Sequence, residues 1–541
     1  MELLVEIGFD SGTRYYSRAG FRVPGAFFEP LITAFGGLQR EIGLVPDDYR
    51  ASQASVTFAN TTGVFSQLRD TERWRNRQLR IFLIEPAEGL SSLQIAFVGR
   101  IDSWTITKGT CTIDAVDAIQ SRLTSPIGPV LTPGFFHRLS ETTTPHALIP
   151  LVIGEVSSPN GAVPAYLVEP SVEITPFRYV AAQGEIKSID EVFAYGALVD
   201  SADYDITVIA GPSGPITVID FDADQRAAGD TTEPHVSWNG IGQTDDETAG
   251  GNSINNPAEQ LVRVLALNGF DDDPSNGEID FTTVTAAADT FNQKQITGGV
   301  VVTDRELVLG DIIRQFAETF SLQIFSTNGG KVGLAAPDPV IDEAAVLPEV
   351  TALEDVVRDS FQVTGPDAVA ASLVADFAYN WYAAGFENRL TRLNAQQIGA
   401  LGENVEAASA HPFIRSSSSM IAVADIKMFF MREQRQVASV LVPPHWHQEL
   451  DLGDSIRLTH FAGPGAAGYD RKIFRVIGIG VEEIGGGTLA CNLRLVDLSS
   501  EPVIAIPLED FAQNPIIYSD YFRTLGLGDH LVLGSVRTPA A

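Results

Sequence analysis

The sequence predicts a mainly β, multidomain protein with an α+β central region. Three observations indicate this class. Apolar residues alternate with polar ones in short runs near both ends of the chain, breakers divide residues 136–250 into short segments, and helical spacing is clear only within 251–345. A chain of 541 residues is too long for one core, so roughly three to five domains are expected.

Residues 1–135 are predicted to be strands. Leu3, Val5 and Ile7 alternate with polar residues, and Asn60–Gly63 is typical of a turn. Ser66–Arg75 is polar and fits a short helix or a loop. The other predicted strands of this region are Val56–Phe58, Arg80–Glu85, Ile95–Ile101 and Cys111–Val116, the last two joined by Lys108-Gly109.

Residues 136–250 are rich in proline and glycine, which favours a small β domain. Gly240–Asn256 is predicted to be a loop or linker. The short strands expected in this domain are Ala147–Ile153, Val163–Val168, Ile206–Ile209 and Ile216–Phe221.

Residues 251–345 are predicted to form an α+β unit with two helices. Asn256 is a good N-cap, Pro257 suits the first helical position, and Asn268-Gly269 ends the helix. A second helix is expected to start near Thr303 or Asp304 and to continue to Phe320. Leu322–Phe325, the turn Asn328–Gly330 and Val332–Ala335 then predict a hairpin.

Residues 346–500 return to strands, whereas 501–541 show no clear period. Ala368–Asn380 fits a strand or a helix, and Ile421–Arg435 allows a helix. The segment 501–541 is too apolar for a solvated linker and predicts an arm that packs on another subunit or on its own domain. The clearer strands are Ser439–Val442, Ser455–Thr459, Lys472–Val481 and Thr488–Leu495, with a turn at Gly485–Gly487.

The charge balance argues against a protein that grips nucleic acid. Lys and Arg number 36 and Asp and Glu number 69, so the net charge is −33, and such a chain is repelled by phosphate backbones. The acidic surface favours solubility. Cys111 and Cys491 lie far apart without a CxxC or a Cys/His cluster, which indicates two buried thiols rather than a disulfide scaffold or a zinc site.

Catalytic signatures such as HExxH, GxSxG, a P-loop or a Rossmann GxGxxG do not occur in the sequence. His445 and His447 would share one face of an extended chain near His460, but we interpret all three as ordinary surface or interface histidines rather than zinc ligands. Asp220, Asp222 and Asp224 fit calcium less well than a solvated strand end, and Asp271–Asp273 with Asp280 fit a helix-exit loop. We assign no catalytic, cofactor-binding or metal-ligating residue and expect neither a cofactor nor enzymatic activity.

Targeting and membrane segments are not expected. The N-terminus lacks a basic and then apolar leader, and no run of about 18 apolar residues exists. We therefore expect a chain that is made and kept in the cytoplasm, without a stable membrane span.

Segments in a particular order resemble the central tail-tip or baseplate hub proteins, also called minor tail proteins, of long-tailed bacteriophages. Each motif alone is weak, and their order along most of the chain is more specific. Two segments, His137–Ile149 and Ser201–Thr232, match nothing in that family. The motifs that carry the resemblance are Phe9–Gly12, Tyr15–Ser17, Asn60–Phe65, Arg80–Leu83, Ile149–Gly154, Tyr166–Pro170, Tyr179–Gly184, Ile189–Asp200, Asn256–Ala258, Val301–Phe320, Gly329–Lys331, Leu452–His460, Gly468, Arg475–Ile479 and Leu493–Leu498.

The resemblance implies a specific architecture and role. It implies two tail-tube-like β-barrel or sandwich domains, 1–135 and 346–500, around an inserted β domain 136–250 and an α+β hub domain 251–345, with an interaction arm at 501–541. A homotrimer would then present six β elements, joining the sixfold tail tube to threefold tip or fibre proteins. The implied partners are the distal tail protein, the tape-measure protein and fibre or tip proteins. DNA would pass through the lumen without sequence-specific binding.

Two other functions compete with a hub in the virion tail tip. A surface adhesin that binds host glycans would be expected to carry a leader or anchor. A tail-associated hydrolase of cell wall or polysaccharide would require catalytic acids or a metal in one cleft. The host, the receptor, the stoichiometry, the partner of 136–250 and the element that moves during DNA ejection are not encoded in any recognisable motif.

Overall fold

A computed structural model describes residues 1–498 with internal gaps. The gaps are 24, 44–48, 86–92, 133–134, 137–146, 170–176, 226–233, 339–345, 358–359, 365–369, 395–397, 399–405, 432–434, 464–467 and 485–486. The predicted arm 501–541 and part of the predicted turn Gly485–Gly487 lie outside the described residues.

The described part of the first 135 residues contains the five predicted strands, four further strands and an α-helix. Ser66–Arg75, left open between helix and loop, lies largely in the helix, which follows the predicted turn at Asn60–Gly63. The elements are β1 (Glu2–Phe9), β2 (Gly12–Ser17), β3 (Phe21–Val23), β4 (Ala26–Pro30), β5 (Ile32–Glu41), β6 (Gln53–Ala59), α1 (Val64–Thr71), β7 (Gln78–Ile84), β8 (Gln94–Ile106) and β9 (Thr110–Val116).

The next 110 or so residues form the inserted β region. Their strands pair in the order β14-β13-β17-β11-β12-β16-β15, with β10 joining the sheet through β17. The elements are β10 (Leu151–Val156), β11 (Val163–Glu169), β12 (Phe177–Gln183), β13 (Ser188–Ala194), β14 (Ala197–Leu198), β15 (Tyr204–Gly211), β16 (Gly214–Phe221) and β17 (Val236–Ile241).

The central region has three helices where two were predicted. The elements are α2 (Pro257–Leu267), α3 (Phe281–Gln293), β18 (Gly299–Val302), α4 (Leu309–Phe320), β19 (Gln323–Ser326) and β20 (Val332–Ala335). Asn256 caps α2 by accepting a hydrogen bond from the Ala258 amide at 3.0 Å, as predicted. β18 pairs with β10, which fixes the inserted sheet onto the helical region.

The last described region combines strands with one long helix. Ala368–Asn380, left open, contains a strand, and Ile421–Arg435 lies mostly in the helix. The elements are β21 (Glu349–Thr351), β22 (Gln362–Thr364), β23 (Ser372–Asn380), β24 (Gly385–Leu393), β25 (Glu406–His411), α5 (Ser417–Met431), β26 (Val437–Val442), α6 (Trp446–Glu449), β27 (Ser455–His460), β28 (Tyr469–Glu483) and β29 (Leu489–Asp497).

One continuous sheet connects the two ends of the chain. Its strand order is β22-β26-β29-β28-β5-β6-β9-β8-β7-β1-β2-β4-β3, and β27 pairs with both β21 and β28. β23, β24 and β25 form a separate three-stranded sheet, and β19 pairs with β20. The predicted class, mainly β with a mixed central region, is confirmed. The division into five domains stays a prediction.

The apolar cores follow this connectivity. One core lies under the N-terminal strands and also includes Val481 and Leu489 from the C-terminal strands. A second runs from α2, α3 and α4 into α5 and the C-terminal sheet. The two β regions at the ends of the chain are therefore packed as well as hydrogen-bonded to each other.

Two local predictions were wrong, and one helix was not predicted. The helix expected from Thr303 or Asp304 begins at Leu309, because the Asp304 carboxylate accepts from the Glu306 amide at 2.9 Å and holds a turn there. The segment Phe281–Gln293, for which no element was predicted, is a helix. Gly240 and Ile241 belong to β17 rather than to a loop.

Candidate functional site: two β units joined edge to edge

The N-terminal and C-terminal β regions have the same strand arrangement. In the first, the strands lie in the order β5-β6-β9-β8-β7-β1, and in the second they lie in the order β22-β26-β29-β28-β27-β21. Along the chain, each unit consists of two outer strands, one inner strand, a helix and a three-stranded meander, with further elements inserted between them. One difference is that β1 pairs antiparallel with β7, whereas β21 pairs parallel with β27. We call these six-stranded units the first and second repeats.

The two repeats also agree in register. Arg100 in β8 lies opposite Gln78 and Val116, and Arg475 in β28 lies opposite Ser455 and Val496. One β-bulge follows Ile101 in the first repeat and one follows Val476 in the second. Bulges are placed features of a sheet rather than accidents, so a match of bulge and register indicates a repeated structure.

Identical residues occupy equivalent positions in the two repeats. Ala54-Ser55-Val56 of β6 corresponds to Ala438-Ser439-Val440 of β26, because each triplet lies opposite the matching segment of the closing strand. Cys111 and Cys491 correspond as well, and both are buried. The repeated Ala-Ser-Val tripeptide and the two cysteines are the signal in the sequence that marks equivalent strands of the two repeats, and neither was predicted to do so.

The repeats are joined by pairing of β5 with β28, which we call the junction. Leu38 lies opposite Val481 and Arg40 opposite Ile479 in an antiparallel ladder. The Ile42 amide extends the ladder by donating to the Ile477 carbonyl at 2.9 Å. The side chains of Leu38, Val481 and Ile479 are all buried there.

Polar side chains cover the exposed face of this joined sheet. Asp114 accepts hydrogen bonds from Ser55 at 2.7 Å and from Ser103 at 3.0 Å. Across the junction, Glu41 pairs with Arg494 at 3.4 Å. A depression of about 580 Å³ lies over the junction on this side and is lined by residues of both repeats. We call this side the polar face.

A buried polar cluster lies beside the junction. The Arg40 guanidinium is ion-paired with Asp451 at 2.7 Å and donates to the Ser326 carbonyl at 2.9 Å. Burial, followed by the positive charge of Arg40, lowers the pKa of His447 well below its ordinary value. Neither ring nitrogen of His447 has a hydrogen-bond partner among the described residues.

The three candidate histidines do not form one site. Residues 446–449 form a helical turn, so the extended arrangement considered for His445 and His447 was wrong. His447 is buried, although a surface or interface position was expected. The His460 ring stacks on Phe361 with centroids 3.9 Å apart. In the described ranges, no three His, Cys, Asp or Glu side chains are grouped to hold a metal ion.

The acidic motifs have local structural roles. Arg178 holds Asp220 in a two-point ion pair, with distances of 2.7 and 3.0 Å. Asp222 and Asp224 follow the end of β16. Asp271 accepts from the Asp273 amide, and Asp280 caps α3 by accepting from Thr282. Asp222 and Asp224 therefore lie at the predicted strand end, and Asp271 and Asp273 lie in the predicted helix-exit loop. The prediction of a solvated position was wrong for Asp220, which is buried within β16 against Arg178.

No helix in the described part of the chain is long and apolar enough to cross a membrane.

Comparisons with known proteins find tail proteins among the solved structures. A chain of the native gene transfer agent virion covers 71% of this chain and 90% of its own length, with 13% identity and a TM-score of 0.41. The 43 kDa tail protein of prophage MuSo2 from Shewanella oneidensis covers 92% and 99%, with 8% identity and a TM-score of 0.41. The tail protein from Neisseria meningitidis MC58 covers 92% and 97%, with 8% identity and a TM-score of 0.41.

No protein-family model and no curated protein matches the sequence. All three TM-scores lie below 0.5, and the functional interpretation therefore depends on the contacts of this chain itself.

Proposed function

We propose that this protein is a structural hub of a phage tail tip or baseplate. The observation that carries the proposal is the repeated β unit: one chain contains two units with the same strand order, which differ in the direction of the outermost strand and are joined edge to edge at the junction. Two neighbouring subunits of a ring would meet in this way. The ordered sequence motifs that resemble tail-tip hub proteins supply the biological context.

The number of chains follows from matching two symmetries. If each chain supplies two β units, three chains supply six, so a homotrimer can contact a sixfold tube on one side and threefold tip or fibre proteins on the other. The proposed partners are the distal tail protein, the tape-measure protein and those fibre or tip proteins. The five-part division of the chain at 135, 250, 345 and 500 belongs to this proposal.

The polar face is proposed to line the channel. DNA must pass such a wall without binding, and a surface without a basic patch meets that need. Glu41 and Arg494 neutralise each other there, and Asp114 is held by two serine hydroxyls. The net charge of −33 keeps the remaining surface repulsive to phosphate.

Labelling of purified particles tests the role. An antibody against the chain is expected to decorate one end of the tail, and deletion of the gene is expected to give particles without completed tails. Label on the cell envelope would instead favour the adhesin. Turnover of peptidoglycan or host polysaccharide that one acid substitution abolishes would favour the hydrolase.

A further inference from the structure

Among the open edges of the joined sheet in the described residues, two correspond to the two edges that meet at the junction. At the junction, the second half of β28 pairs with β5. In the first repeat, the second half of β8 pairs with β9 on one side, and no described strand pairs with its other side beyond Arg100. In the second repeat, β22 pairs with β26, and no described strand pairs with its other edge.

The register defines which residues are equivalent. Ile106 lies opposite Cys111 as Val481 lies opposite Cys491, so Ile106 takes the place of Val481. Val363 lies opposite Ala438 as Leu38 lies opposite Ala54, so Val363 takes the place of Leu38.

These residues are less exposed at the junction than at the two open edges. At the junction, Leu38 is 3% exposed and Val481 is 1% exposed. At the open edges, Val363 is 37% exposed and Ile106 is half-buried. Apolar side chains thus occupy equivalent positions although the described part of the chain covers them only in part. Open edges with apolar side chains are templates for pairing with another chain.

We propose that the open edge of β8 pairs antiparallel with the open edge of β22 from a second copy of this chain, repeating the junction between chains. Ile106 lies opposite Val363 and Thr105 opposite Thr364 in the resulting ladder. The inference rests on the proposed ring and adds the surface and register by which the ring closes.

One position departs from the junction geometry. Thr105 takes the place of Gly480, where an added Cβ would lie 2.7 Å from the Leu38 carbonyl oxygen. The backbone must shift to accept this side chain, so the ladder between copies departs from the junction geometry at Thr105. The apolar contact of Ile106 with Val363 lies on the opposite face of the sheet and is kept.

The first experiment compares self-association of two variants of the full chain. Val363→Asp places a charge at the proposed contact and is expected to lower self-association at least about tenfold, since an unpaired buried charge is strongly unfavourable. Val208→Asp changes another exposed valine on the edge strand β15 and is expected to leave self-association unchanged. The measurement is molar mass by light scattering over a concentration series.

The second experiment tests the register by cross-linking. Ile42–Ile477 is a hydrogen-bonded pair, so by alternation Thr105–Thr364 is a non-hydrogen-bonded pair with Cα atoms about 4.5 Å apart, within disulfide range. Thr105→Cys with Thr364→Cys is expected to give covalent multimers on oxidation. Thr105→Cys with Val363→Cys, whose side chains point to opposite faces, is the control and is expected to give far fewer.

The outcomes separate this inference from the proposed function. Rings that persist in Val363→Asp, or equal cross-linking in both cysteine pairs, overturn the edge pairing. A chain that stays monomeric at all concentrations and does not cross-link also overturns it. Register-specific cross-links in a protein that labelling never finds on tails support the pairing and overturn the hub.

Discussion

At the scale of single residues, His447 ties the stability of the fold to pH. Burial and Arg40 lower its pKa in the folded chain. The neutral ring is therefore favoured by folding, and this contribution is fully present above the ordinary pKa of 6.5 and is lost as the pH falls below it. His411 acts in the same sense, since burial, helped by Lys427, lowers its pKa to about 3.

His447→Leu is expected to weaken the acid sensitivity of the protein. Proton uptake by the His447 ring on unfolding lowers stability by about 1.4 kcal/mol between pH 7.5 and pH 5.5. The fall in melting temperature between pH 7.5 and pH 5.5 should therefore be smaller in the variant than in the wild-type protein. His445→Leu, which changes an exposed neighbour, is the control, and its melting temperature should fall as much as that of the wild-type protein. Equal falls in melting temperature in all three proteins would contradict the prediction.

The two cysteines are expected to be inert in the native protein. Burial raises the pKa of the Cys111 thiol to about 12 and raises that of Cys491 as well. Only the thiolate is reactive, so alkylation at pH 8 should be slow for the folded chain and should reach both thiols after denaturation. Mass spectrometry of the alkylated protein measures the extent of modification at each cysteine. Rapid modification of the native protein would contradict the prediction and would show that β9 or β29 opens readily.

At the scale of elements, the strands were the most predictable part. Alternation is clear in β1, β9 and β27, each of which buries every second side chain in the core. The helix α3 was missed because its sequence contains four threonines and a short apolar stripe, which favour a strand or loop locally. Its packing against α2 and β20 decides the conformation.

Asn256 is expected to be the most sensitive helix cap. Its side chain accepts from the Ala258 amide and also donates to the Ala288 carbonyl at 2.9 Å and to Asn292 at 3.0 Å. Asn256→Ala should lower stability by about 2 to 3 kcal/mol, since a buried carbonyl loses its donor together with the cap. Asp280→Ala removes only the cap of α3 and should lower it by about 1 kcal/mol. Chemical denaturation measures both, and equal losses would contradict the prediction.

At the scale of the whole molecule, pairing between distant strands could not be predicted from alternation. A strand's pattern shows which face is buried but not which strand lies beside it. The resemblance predicted two related β domains, and the match of Cys111 with Cys491 within equal registers now describes the repeat residue by residue. The histidine and aspartate motifs carried no pairing information, because their partners, such as Arg178 and Phe361, come from other strands and loops.

Equivalent substitutions in the two repeats should differ in their effect on the stability of the single chain. Leu38→Asp puts a charge into the buried junction and should destabilise the single chain by about 3 kcal/mol or more. Val363→Asp, at the equivalent open position, should change the stability of the single chain by less than about 0.5 kcal/mol. Thermal unfolding at a dilution that disfavours association measures the difference, and similar losses in both variants would show that the two edges are not equivalent.

The junction also sets a timing problem during synthesis on the ribosome. Its two strands are separated by roughly 440 residues, which take about 20 to 90 seconds to translate at usual bacterial rates. Throughout that time β5 has emerged while its partner does not yet exist. A nascent polypeptide with an unpaired strand edge is prone to pair with a neighbouring chain on the same polysome. The yield of folded protein should therefore improve when initiation is infrequent and translating ribosomes are widely spaced.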